Sequence, residues 1–156
     1  MLQVDIPGFG PVTLEHLVSD FTGTLSVGGK LLSGVEERLN QLAESLDLRI
    51  LTADTFGVAR EELKKVNCAI HILSGASHDR QKELYVTELG GEPTVALGNG
   101  NNDRLMLKAA KVGIAVTEGE GCAVEALMAA NICVNRAVDA LDLLLHPKRL
   151  KATLRF

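Results

Sequence analysis

At 156 residues the chain has room for one domain with a sizeable core and too little for two. Apolar residues make up 46% of it and aromatics only 3%, so the core has to be aliphatic, and one Tyr with no Trp leaves no platform for stacking bases. The net charge of −4, without a block of one sign, gives no electrostatic footprint for DNA or RNA.

The first stretch, "LQVDIPGFGPVTLEHLVSD", reads as a short strand, a turn at Pro7 to Gly10, a second strand, and a buried strand through Leu17 and Val18. After Asp20, "SVGGKLLSG" places Gly28-Gly29 as a hairpin turn. Ser33 with Glu36 has the spacing of a capping box, and Val35, Leu39, Leu42 and Leu46 recur at helical spacing behind it. Strands and helices then alternate. "LRILT", "CAIHIL", "TVALG", "VGIAV" and "ICV" are expected strands; "FGVAREELKKV", "HDRQKELYVTEL", "DRLMLKAA", "GCAVEALMAA" and "AVDALDLLL" are expected helices. Near-continuous apolar strands in β-then-α units predict a mainly parallel sheet covered on both faces. Lys148, Arg149, Lys151 and Arg155 read as a solvated tail, with a docking surface as the other reading.

Cys68 and Cys133 sit in apolar runs and read as small core residues, while Cys122 has no C-x-x-C partner. That usage fits a reducing compartment. With no apolar leader and no apolar run near 18 residues, the expectation is a cytoplasmic protein, neither secreted nor inserted in a membrane.

In a parallel sheet of this kind ligands bind outside the carboxyl ends of the strands. Those ends carry Asp20 with Thr22 and Thr24, then Thr52 and Asp54, then the loop from Leu97 to Asp103. Lys82, one turn into a helix, is placed to reach the same crevice. A carboxylate can attack phosphorus or hold Mg²⁺, hydroxyls and backbone N–H groups hold phosphate oxygens, and a lysine neutralises developing charge. Plainer readings stand beside these: Asp54, Asn102 or Asp103 as helix N-caps, Thr52 as a strand residue, Lys82 as a solvated helix lysine. Asp20 is the exception, because a carboxylate directly after a buried strand needs a partner or a task. His16, His71, His78 and His146 have no metal-ligand spacing, and no catalytic part is expected of them.

"LVSDFTGTL", "ILTADT", Lys82 and "LGNGNNDRLML" stand in the order of the four motifs of the haloacid dehalogenase superfamily. The stretch from about residue 14 to 116 resembles most the phosphorylation domain of P-type ATPases, with motifs D-K-T-G-T, T-G-D and G-D-G-x-N-D, as found in small P-type ATPase-like proteins lacking membrane helices.

The resemblance implies a single domain over residues 1–156: a three-layer Rossmann-like core with an N-terminal β-hairpin and no large cap domain. It implies a Mg²⁺-dependent phosphohydrolase working through an aspartyl phosphate on a small phosphorylated molecule. Asp20 is then the nucleophile and a metal ligand. Thr22 offers its carbonyl to the metal and its side chain to phosphate. Thr52 and Lys82 bind the phosphoryl group with Gly23, Ala53 and Asn102 around it, and Asn99 and Asp103 complete the metal side. Two positions depart from the pattern in consequence. Asn99 stands where the family has an Asp, and Thr22 stands where the superfamily's phosphatases have their acid–base Asp. Both favour the alternative of a phosphate-responsive binding or regulatory module with little turnover. Acylphosphatase-like or ATP-hydrolysing activity would share the same site. With no cap to cover the crevice, a homo-oligomer in which a neighbour closes it is also expected.

Overall fold

The structure, a computed structural model, describes residues 1–54 and 57–156. Strands β1 (Leu2–Ile6) and β2 (Gly10–Leu14) form an antiparallel hairpin, and β3 (His16–Asp20) enters the main sheet. A second small hairpin, β4 (Ser26–Val27) and β5 (Lys30–Leu31), follows through the expected Gly28-Gly29 turn. Next come α1 (Val35–Leu42), β6 (Asp47–Thr52), α2 (Val58–Glu62), β7 (Ala69–Ile72), α3 (His78–Leu89) and β8 (Thr94–Gly98). The chain ends with α4 (Arg104–Ala109), β9 (Val112–Val116), α5 (Val124–Ala129), β10 (Ile132–Val134), α6 (Ala137–Leu145) and α7 (Pro147–Leu154). The six-stranded sheet runs β10-β9-β8-β3-β6-β7, and every pair in it is parallel.

Alternate strand residues feed two cores. Leu17, Ile50 and Leu97 point to the layer of α1, α6 and α7, while Val18, Leu51 and Ala96 point to the layer of α3, α4 and α5. Both faces are covered, which is why these strands read as continuous apolar runs rather than alternating ones. Strand β3 lies centrally, with β6 and β7 on one side and β8 to β10 on the other. The chain therefore reverses its direction of winding beside β3, and the carboxyl end of that strand opens onto the crevice such a reversal creates.

Four local expectations need correction. The capping box at Ser33 does not form: Gly34 precedes α1 with φ of 81° and no side-chain cap, a backbone conformation that glycine adopts at little cost. The helix expected from Phe56 to Val66 is α2 alone among the described residues, and Phe56 itself lies outside them. The basic C-terminal cluster is no tail. Pro147 starts α7, whose Leu150 is fully buried in the core that also holds Leu2 and Ile6 of β1. Cys133, expected in the core, faces solvent on the edge strand β10. Among the described residues no helix is long and apolar enough to cross a membrane.

Candidate active site

Register places the first acid. Strand β3 ends with Asp20 paired to Leu51 of β6 and Ser19 paired to Leu97 of β8, so Asp20, Thr52 and Asn99 emerge side by side. Asp20 is buried, and its Oδ1 accepts a hydrogen bond from Lys82 Nζ at 2.7 Å. The same ammonium donates to Asp103 Oδ1 at 2.6 Å, and Lys82 is only 1% exposed. Lys82 is therefore a buried counter-ion and not the solvated helix lysine of the plain reading.

Asp103, expected on the metal side, is fully buried and does not line the crevice among the described residues. Its Oδ1 is taken by Lys82, and its Oδ2 accepts the backbone N–H groups of Asn99 and Gly100 at 3.0 and 2.9 Å. The carboxylate is fully buried and holds the Asn99 loop in place from behind. This arrangement needs Gly98, because a Cβ there would sit 2.5 Å from Asp103 Cβ.

The electrostatics leave a cation wanting. Two carboxylates and one ammonium share a buried cluster, so one negative charge is uncompensated. Burial, then the proximity of Asp103, pushes the Asp20 carboxyl up to about 6 against the opposing pull of Lys82. Desolvation works against the charged form of Lys82 too, yet the two carboxylates outweigh it and hold that group above its ordinary value.

The hydrogen-bond count makes the same point. Thr24 Oγ1 lies 3.1 Å from Asp20 Oδ2 and 3.1 Å from Asn99 Oδ1, but a hydroxyl has one proton and can serve only one of them at a time. Turning the Asn99 amide over to present its nitrogen instead would break the bond that Nδ2 donates to the Gly121 carbonyl. Two oxygens thus converge with too few donors, and the donor set suits a hard, oxygen-preferring cation. No cluster of three or more His, Cys, Asp or Glu side chains suited to a metal occurs among the described residues. An ion here would rest on one carboxylate, neutral oxygens and water. Gly23 belongs to this frame: its φ is 78°, and a Cβ there would lie 2.5 Å from Asn99 Nδ2.

The remaining expected residues gather around Asp20. Thr22 is exposed at the crevice mouth, and Ala53, Asn99 and Asn102 line the same crevice with Thr52. Thr52 Oγ1 accepts from the Asp54 N–H at 3.2 Å, which leaves its own proton to donate. Asp54 lines the crevice and is not the N-cap of α2, which is Gly57; its Oδ1 accepts from the Ala59 N–H of that helix at 2.8 Å, and its φ is 37°. The lining side chains of Phe21, Val58, Leu73 and His78 were not foreseen as such, nor was the backbone of Gly28 and Gly29. Only His78 had a legible signal. It precedes Lys82 by four residues and so shares its helix face.

No protein-family model matches the chain. It is 51% identical over 61 residues to an uncharacterized protein of Methanocaldococcus jannaschii, a match covering 39% of this chain and 66% of that protein. It is 28% identical over 138 residues to a copper-exporting P-type ATPase of Staphylococcus aureus, covering 86% of this chain but 16% of the transporter. The chain thus spans less than two thirds of either relative. Among solved structures, the cobalt-bound deoxy-D-mannose-octulosonate 8-phosphate phosphatase of Haemophilus influenzae superposes with a TM-score of 0.70 at 11% identity, over 85% of this chain and 88% of that one. A 3-deoxy-D-manno-octulosonate 8-phosphate phosphatase of Moraxella catarrhalis, in complex with magnesium, phosphate and the sugar acid, gives 0.65 at 17% identity over 85% and 86%.

Proposed function

We propose that this chain, a relative of the haloacid dehalogenase superfamily in fold and in motif order, is a divalent-metal-dependent phosphohydrolase acting through Asp20. The observation that carries the reading is the buried Asp20–Lys82–Asp103 cluster at the winding reversal, one positive charge short and open to a crevice. Asp20, the Thr22 carbonyl and Asn99 would hold the cation, and Mg²⁺ suits that oxygen set. When bound, the ion would draw charge from phosphate oxygens as the phosphoryl group moves.

Asp20 attacks phosphorus, a carboxylate O–P bond forms, and the P–O bond to the leaving group breaks with its electron pair departing on that oxygen. Lys82 fixes the attacking carboxylate and offsets its charge. The Thr52 hydroxyl, the Gly23 and Ala53 backbone and Asn102 stand around the transferred group. Water then attacks phosphorus and gives up a proton to solvent, the carboxylate O–P bond breaks, and inorganic phosphate leaves with the Asp20 carboxylate regenerated.

Thr22 sets the limit on this scheme, since a hydroxyl does not ionise near pH 7 and cannot protonate a leaving group. Leaving groups that depart unprotonated, as from acyl or nitrophenyl phosphates, are favoured. The same substitution supports the second reading, a phosphate-binding regulatory module. A screen of phosphorylated metabolites with Mg²⁺ separates the two. Turnover abolished by Asp20→Asn supports the enzyme; tight binding of phosphate esters without turnover supports the module.

The cation is open to direct test. Asn99→Asp adds a charge beside Asp20, and calorimetry should show tighter Mg²⁺ binding; an unchanged affinity would place residue 99 outside the ion's reach. In the unmodified protein a proton competes with the cation for Asp20. Because that group sits at about 6, apparent Mg²⁺ affinity should be level above this value and decline below it, by about tenfold for each pH unit. Affinity that stayed level down to the ordinary carboxylate range would remove Asp20 from the cation site.

A further inference from the structure

The crevice continues past the phosphate end. Its volume of about 560 Å³ is typical of a pocket for a whole small molecule and leaves ample room beside a phosphoryl group. Its apolar lining comes from Phe21, from Val58 at the start of α2, and from Leu73 just after β7. Gly28 and Gly29, at the tip of the β4–β5 hairpin, add backbone without side chains. That tip is held in place by carboxylates, Gly28 N–H donating to Glu120 Oε2 and Leu31 N–H to Glu62 Oε2, at 3.0 and 2.8 Å.

The polar groups at this end are few. His78, the first residue of α3, lines the crevice one turn before Lys82. Its Nε2 is shielded from solvent and so lies out of reach of a ligand in the crevice. The charges are one-sided. Among the described residues Lys82 is the one cationic residue lining the crevice, and its ammonium is already shared between Asp20 and Asp103. Asp54 faces the same space. Arg104, in a neighbouring recess, is bound to Asp79 Oδ2 and to the Asn101 carbonyl. A second anionic group on the ligand would therefore meet carboxylates and apolar carbon with no cation to pair with.

We infer that this end is a leaving-group subsite for an uncharged group with an apolar face. The inference rests on the phosphohydrolase reading and narrows it. Substrates whose leaving group carries a carboxylate or further phosphates are disfavoured, which separates this chain from sugar-acid phosphatases of the same fold.

Calorimetry with Mg²⁺ and phosphonates, which cannot be turned over, tests the subsite apart from catalysis. Benzylphosphonate should bind the unmodified protein at least about tenfold more tightly than 2-carboxyethylphosphonate, and Val58→Lys, at a partly exposed position, should close that gap. Equal or tighter binding of the carboxylate-bearing ligand, with inorganic phosphate still bound, would overturn the subsite alone. Failure to bind inorganic phosphate or either phosphonate would overturn the phosphohydrolase reading and the subsite together.

Discussion

Lys82→Ala should lower the unfolding free energy at pH 7 by about 3–5 kcal/mol, the cost of breaking a buried ion pair by removing one partner. The size follows from what remains behind. Asp20 and Asp103 are both buried, and among the described residues the ammonium that bridges them is the one cation within hydrogen-bonding distance of either. Without it two desolvated carboxylates face each other, and the cheapest relief is to take up a proton. The loss should therefore shrink as pH falls toward 5, because protonation removes the repulsion the variant has exposed. Lys82→Met, which keeps the length and apolar stem, should behave the same way, since the missing element is charge rather than volume. Urea denaturation at the two pH values is the measurement. A loss below about 1 kcal/mol at pH 7, the range of an exposed ion pair, would mean that Lys82 is not the buried counter-ion described here.

Thr22→Asp should accelerate breakdown of a phosphorylated Asp20 by about 10²- to 10⁴-fold, the usual contribution of a positioned acid–base group. Thr22 is exposed at the mouth of the crevice, so a carboxylate there stays solvated and the fold bears little cost. The new group could take a proton from the attacking water, a task Thr22 cannot perform. Among the described residues Asp54 is the one other crevice carboxylate besides Asp20, and its Oδ1 already accepts the Ala59 N–H of α2. Decay of the labelled intermediate in a single-turnover chase reads this directly. An unchanged decay rate would mean that Asp54 or another group already supplies the base.

Much of this architecture was legible in the chain. The parallel strands announced themselves because burial on both faces leaves no polar alternation, and α3, β8, β9, β10 and α6 fall where the pattern put them. Helix α7 was hidden by its own chemistry: four basic residues at or just past it outweigh one fully buried side chain, Leu150. In the site, Asp20 could be found from sequence because a carboxylate closing a buried strand has few structural excuses. Asp103 could not be placed correctly by the same means. Its partner Lys82 lies 21 positions away, and only the fold shows that its two oxygens are spent on that lysine and on two backbone N–H groups. The apolar lining escaped notice for a related reason, since Val58 and Leu73 are ordinary apolar residues until the fold brings them beside Asp20.

The most direct measurement is to expose the protein to labelled acetyl phosphate with Mg²⁺, quench in acid, and map the label by proteolysis and mass spectrometry. The expected result is a hydroxylamine-sensitive phosphoryl group on Asp20, absent from Asp20→Asn and longer-lived in the unmodified protein than in Thr22→Asp. Turnover of acetyl phosphate with no label on Asp20 at any quench time, together with full activity in Asp20→Asn, would contradict it.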